Sequence, residues 1–245
     1  MPFEKRVTDD VIAYVTRDIA DEAWHIDFFR FISDQSLAKR LAEEFISTRC
    51  TYKILEGLSV TKWMLRAQVR QQIMSYASIY EAAIHHLLFK DLSTTAAVMQ
   101  LKTQPGRIAV SIPKKNLATI NSLLSHNGKT IYLTCDALKK VRESSIRFDK
   151  KAECARDLGF ITPTLCTELI EFYEARNAIH IHAEIRKSMR YQIDLSWRAF
   201  RRMEPFKAQV EAQLVSLGLV PSFPTKPPKS RRPKPSGPVA NSVAP

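Results

Sequence analysis

Val60 to Phe89, VTKWMLRAQVRQQIMSYASIYEAAIHHLLF, is the stretch whose reading decides the fold. Leu65, Val69, Ile73, Tyr76, Tyr80, Ile84 and Leu87 step by 4, 4, 3, 4, 4 and 3 residues. That interval keeps apolar side chains on one face of an α-helix for about seven turns. Two observations extend the assignment outward. From Phe3 to Gln104 there is no proline and one glycine, Gly57, so nothing breaks helix in that span. Upstream, Leu37, Leu41 and Phe45 mark a second helix ending near Gly57, read as its C-cap. Val11, Val15 and Ile19 mark an earlier one, with Thr8, Asp9 or Asp10 as cap.

Downstream the pattern changes at Asp91. Pro105-Gly106 reads as a turn, and Ile108–Ile112 and Thr130–Thr134 read as short β-like runs, the second after Asn127-Gly128. Residues 104–135 are therefore assigned to an insertion, a small hairpin flanking a short helix at Leu117–Leu124. Helix is predicted to return from Asp136 towards Leu158, broken near Phe148 and closed by Gly159. Thr162-Pro163 pairs a cap with proline at the first helical position. It opens a helix carrying Leu165, Leu169, Phe172 and Tyr173 into Arg176. One final long helix is expected over Ala183–Leu217. From Pro221 the chain holds eight prolines in 25 residues, cannot bury a core and is expected to be disordered. Its PxxP matches, such as Pro221-x-x-Pro224 and Pro224-x-x-Pro227, are near chance in such a composition. The expected class is all-α: a helical domain over 1–220 and a disordered basic tail over 221–245.

Charge bounds the partners. The chain has 37 Lys and Arg against 25 Asp and Glu, net +12, with a pI near 9.6. The tail contributes five of those charges (Lys226, Lys229, Arg231, Arg232, Lys234) and no acid, so the body is itself basic at +7. A basic body suits a polyanion, of which nucleic acid is the commonest; a high pI is also found in soluble proteins with no such partner. Cys50, Cys135, Cys154 and Cys166 form no C-x-x-C pair and read as reduced thiols of a cytoplasmic protein. No signal-peptide pattern follows Met1, and no apolar run reaches the ~18 residues needed to span a membrane.

Chemical density peaks at Arg176-Asn177-Ala178-Ile179-His180-Ile181-His182. Arg grips phosphate through a planar fork and stays charged at any working pH. His exchanges protons near neutrality. Together they are a minimal set for cleaving a phosphodiester. On one continuous helix Arg176 and His180 lie ~40° apart and His182 ~120° away. His180 pairs better with Arg176 if the helix runs straight through, His182 if it breaks around 177–181. The alternative is an Arg-Asn-His cluster that caps carbonyls and satisfies hydrogen bonds.

With Ser75-Tyr76-Ala77-Ser78-Ile79-Tyr80-Glu81 on the long helix, an insertion, Leu158-Gly159-Phe160-Ile161-Thr162, and Tyr173-Glu174-Ala175-Arg176-Asn177 leading to His182, the chain resembles the HEPN superfamily. These are all-α domains of toxins, CRISPR effectors and phage-defence ribonucleases. Their signature is Arg, four to six residues, then His, often with a polar residue straight after the Arg. Arg176 to His182 leaves five, Asn177 is the polar follower, and His180 falls outside the spacing. The resemblance covers about 40–215 without the insertion. It implies metal-independent RNA cleavage at a site built by two protomers, with Arg176 on phosphate, His182 as acid or base, Asn177 and His180 assisting, and no cofactor. A regulatory protein partner and a defence or toxin-like setting go with it. So does the alternative, a catalytically inactive module that binds RNA or a protein partner.

The remaining candidates are lesser. Lys187, Arg190, Arg198 and Arg201 fall within ~100° on the expected last helix, flanked by Arg186 and Arg202, and could track an RNA backbone or be a solvated face. Trp197 and Phe200 interleave with them and read as core anchors. His180-x-His182-x-Glu184 would suit a metal on a strand; on a helix i and i+2 diverge, so no metal is expected. His85 and His86 are adjacent, cannot share a face, and read as rim or satisfied histidines. Glu81 reads as half of a salt bridge, structural or with a basic residue of the site. His25 and His126 read as structural. No G-x-x-x-x-G-K-[ST] motif supports nucleotide hydrolysis.

Overall fold

The structure is a computed structural model and describes residues 2–124, 127–129, 131–179, 181–187 and 191–220, without the side chains of Ile181, Ala183 and Lys187. His126, His180, Arg190 and the basic tail thus lie outside the described residues. The architecture is mostly helical, with one small β-ribbon.

Helix α4 (Lys62–His86) is the central element, as its stripe predicts. Val69, Ile73, Tyr76, Tyr80, Ile84 and Leu87 are buried, and Leu65 is half-buried at the edge of the core. Around α4 pack α3 (Gln35–Gly57), α8 (Pro163–Asn177) and α10 (Ile193–Arg201). The short α2 (Glu22–Phe28) and α1 (Lys5–Arg17) lie against α3. Helix α7 (Phe148–Asp157) lies against α8. The aromatic centre joins four helices. Tyr80 stacks on Phe172 at 6.3 Å and meets Phe206 of α11 (Met203–Ser216) edge-on at 5.1 Å, while its hydroxyl donates to the Ala199 carbonyl of α10 at 2.7 Å.

Several boundaries differ from the sequence expectations, each for a local reason. Helix α1 starts at Lys5, with Glu4 at the cap, so Thr8, Asp9 and Asp10 are inside it. Gly57 ends α3 without a left-handed conformation. Its lack of a side chain serves close packing instead: a Cβ there would come within 2.8 Å of the Tyr14 ring. After His86 the helix continues as one π-turn, Leu87–Asp91.

The insertion is larger than expected. Strand β1 (Thr103–Ala109) pairs antiparallel with β2 (Thr134–Lys140), Thr103 opposite Lys140 and Ala109 opposite Thr134. Pro105 and Gly106 therefore sit inside β1, opposite Leu138 and Ala137, and do not form a turn. A two-stranded ribbon is all edge, which is where proline is tolerated. Between the strands lies α6 (Lys114–Leu123), and α5 (Ala96–Leu101) leads into β1. Asp136–Lys140, predicted helical, is strand because β1 captures its backbone; local propensity is a weak prior against such pairing.

The expected long last helix is three: α9 (Ile181–Lys187), α10 and α11. With it goes the continuous stripe of Lys187, Arg190, Arg198 and Arg201, since the angular argument needs one unbroken helix.

The α7–α8 corner follows its sequence signals. Leu158 is the C-cap and Gly159 is left-handed, φ +81°, with Phe160 N–H donating to the Ala155 carbonyl at 2.9 Å. Thr162 then caps α8 by accepting from Leu165 N–H, with Pro163 in the first turn. A Cβ at 159 would stand 3.0 Å from Gln213 Nε2, the amide that donates to the Leu158 carbonyl. Gly159→Ala should therefore cost about 1–2 kcal/mol, the usual penalty of a left-handed non-glycine residue. A lowered urea midpoint at unchanged m-value checks it.

Candidate active site

The helix that carries Arg176 and Asn177 ends there. Ala178 is its C-cap, fully buried, with its N–H donating to the Glu174 carbonyl at 3.0 Å. Helix α9 starts at Ile181. Arg176 and His182 are therefore on different helices. The break between them is fastened: Arg70 of α4 donates to the Ile179 carbonyl at 2.6 Å, and the Tyr191 hydroxyl donates to the Ala175 carbonyl at 3.0 Å. Glu184 of α9 is buried and receives both Arg66 and Arg70. That engagement removes Glu184 from the H-x-H-x-E metal reading. Among the described residues no group of three His, Cys, Asp or Glu is placed to hold a metal ion. All four cysteines are free.

Glu184→Ala would leave two guanidiniums without their carboxylate and loosen α9 from α4. Limited proteolysis is expected to cut faster in α9 than in the wild type, because α9 loses the ion pairs that Glu184 makes with Arg66 and Arg70 of α4. An unchanged cleavage rate would show that Glu184 does not seat α9.

Arg176 is half-buried. Its Nη1 donates to Glu81 Oε2 at 2.9 Å, and its guanidinium lies 5.3 Å from the Tyr173 ring centre. Glu81 is thus the acidic partner of the motif arginine, joining α4 to α8. Asn177 and His182 are both exposed, His182 in the first turn of α9. The structure therefore brings Arg176 to Glu81 and puts His182 on a separate helix, open to solvent.

The basic residues of the former stripe have different surroundings. Arg198 donates to both oxygens of Glu171, at 2.8 and 2.7 Å, and to Asp194 at 3.1 Å, which holds its pKa above the ordinary arginine value. Arg202 grips Glu168 through two nitrogens. Arg201 is exposed and lies 5.0 Å from the centre of the Trp197 ring, itself partly exposed. Phe200 is the core anchor of the pair, 5.9 Å from Tyr76 and 6.1 Å from Phe45. Arg201 is thus the stripe residue that meets solvent on an aromatic face, an arrangement suited to stacking a base.

No family model, curated protein or solved structure matches this chain.

Glu81 also borders a cleft of about 500 Å³ between α4, the π-turn, α7 and the N-terminal end of α3, where Asp34 and Leu37 line it. His85 and Lys151 line it, with Lys151 Nζ 3.3 Å from His85 Nδ1. Burial pushes both the Lys151 ammonium and the His85 imidazole below their ordinary pKa values; the Lys151 charge adds to the effect on His85, while Glu81 and Glu143 oppose it at Lys151. His86 also borders the cleft, but it is buried, shares a 2.8 Å hydrogen bond with Ser33 and lies 3.6 Å from Asp91. The expectation of a satisfied histidine describes His86, whereas the ring of His85 meets Lys151. His25 is buried too, its Nδ1 2.9 Å from the Asp21 carbonyl. Lys151 was legible in one respect. Phe148, Ala152 and Ala155 share the buried face of α7 with it, and a lysine at such a position is out of place unless it has a use.

Proposed function

We propose that this chain is a HEPN-like, metal-independent endoribonuclease that acts in the cytoplasm as a homodimer. The observation that carries the reading is the built break between α8 and α9, directly after Arg176-Asn177. It supports the pairing of Arg176 with His182 that the family spacing implies. RNA supplies its own nucleophile in the 2′-OH. His182 takes the 2′ proton or protonates the departing 5′ oxygen. The 2′ oxygen attacks phosphorus, the bond to the 5′ oxygen breaks, and a 2′,3′-cyclic phosphate and a 5′-hydroxyl end result. Arg176 stabilises the charge gathering on the phosphoryl oxygens. Glu81 holds the guanidinium in place until RNA arrives. Asn177 and His180 assist, and Arg201 with Trp197 offers a stacking platform for a flanking base.

The deciding experiment measures cleavage of a generic RNA with excess chelator by wild type, Arg176→Ala and His182→Ala. The expected result is chelator-insensitive cleavage by the wild type alone. Equal cleavage by all three proteins overturns the reading.

A second reading has its own support. The Arg176 guanidinium is already engaged by Glu81, and Arg198 and Arg202 by acidic partners, as in a module that binds RNA or a protein partner without cleaving. Salt-sensitive RNA binding by the wild type with no product under any condition would favour it. No described helix is long and apolar enough to cross a membrane.

A further inference from the structure

The cleft beside Glu81 holds ammonium groups that no carboxylate touches among the described residues. Lys151 is 3% exposed; Glu81 and Glu143 act on it from beyond ion-pair distance, and its hydrogen bond goes to His85 Nδ1. Lys90, exposed on the π-turn, also lacks an acidic partner among the described residues and lines the same cleft. The acids nearby are committed elsewhere. Glu81 accepts from Arg176, Asp34 from the amides of Ser36 and Leu37, and Glu143 from Lys102 at 2.8 Å. A buried ammonium with no carboxylate in contact is costly, and a bound anion would supply that contact.

The donor set has a definite chemistry. Lys151 keeps N–H donors beyond the one directed at His85. Accepting at Nδ1 leaves the imidazole proton on Nε2, which makes His85 a donor as well. Ser78 and Ser144 bring hydroxyls to the lining. Two cations with several neutral donors suit a divalent oxyanion with many acceptor oxygens, rather than a carboxylate with two. The π-turn is what brings Lys90 to this edge, and such turns gather at functional sites. A volume of about 500 Å³ lies in the range of small-molecule sites.

We propose that this cleft is a binding site for the phosphoryl group of a small phosphomonoester, held by Lys151, His85 and Lys90. The site does not depend on the ribonuclease reading and uses none of its motif residues.

Isothermal titration of the full chain with inorganic phosphate, adenosine 5′-monophosphate and acetate tests it. Lys151→Met keeps the length of the side chain and makes it apolar, so folding tolerates it. One phosphate-sized site per chain is expected in the wild type. Lys151→Met should bind about 10- to 100-fold more weakly, the usual loss for a hydrogen bond to a charged group. Lys90→Ala should lose less, and acetate should bind more weakly than phosphate. Binding of the nucleotide more tightly than phosphate identifies the phosphomonoester as the ligand class. No phosphate binding by folded wild type overturns the proposal, as does unchanged binding by Lys151→Met. Loss of binding in His182→Ala with retention in Lys151→Met would move the anion to the α8–α9 break and overturn it equally.

Discussion

His182→Ala is expected to lower RNA cleavage by about 100- to 10,000-fold, the span that a positioned general acid or base contributes. His182 is exposed on α9, so its removal leaves the core intact. Thermal unfolding should match the wild type within about 0.5 kcal/mol. A kinetic loss without a stability loss is the signature of chemistry. Arg176→Ala should cost about 100- to 1,000-fold, as for one preorganised donor to a charged transition state. Here a second consequence enters, because Glu81 loses its partner at 2.9 Å. The pair is partly exposed, so solvent screens it and the stability change stays under about 1 kcal/mol. Arg176→Lys should recover little activity, since an ammonium lacks the planar fork. Glu81→Gln separates the roles: if Glu81 only positions Arg176, this variant raises KM more than it lowers kcat. Loss of folding in the arginine variants would instead assign Arg176 to the scaffold.

The largest stability effect is expected at Tyr80. The residue is fully buried between Phe172 and Phe206, and its hydroxyl reaches α10. Tyr80→Ala removes the packing of α4 on three helices and leaves a cavity, at about 3–5 kcal/mol for an aromatic side chain. A domain of this kind holds roughly 5–15 kcal/mol in all, so the variant should sit at the edge of folding. Tyr80→Phe isolates the hydroxyl. It keeps the ring and orphans the Ala199 carbonyl of its side-chain donor, for roughly 1–3 kcal/mol. Urea unfolding of both variants gives the two numbers. A cost for Tyr80→Phe equal to that for Tyr80→Ala would mean that the hydrogen bond, not the packing, joins α4 to α10.

The two experiments address different kinds of legibility. The stripe from Leu65 to Leu87 was readable because helix periodicity is a property of neighbours three and four residues apart. The α7–α8 corner was readable for the same reason: Gly159, Thr162 and Pro163 act on their own turn. Helix over Asp136–Lys140 was a misreading because the strand owes its existence to Thr103–Ala109, about 30 residues upstream. The last helix was read as continuous because nothing local in Lys187–Ile193 breaks it as a proline would. At the motif, sequence alone leaves open whether the helix breaks between Asn177 and Ile181. The partners that fasten the break, Arg70, Tyr191 and Glu184, come from other elements and carry no local mark.

By itself, the sequence determined that this chain is helical, where its central helix runs, and which seven residues concentrate phosphate and proton chemistry. Tertiary structure alone decided that Glu81 meets Arg176, that Arg198 and Arg202 are matched by acids, and that Lys151 is buried beside His85 without one in contact. The physical reason is range. Periodicity and capping act within a few residues of chain, whereas the charge state and freedom of these side chains depend on groups brought close from 27 to 95 residues away.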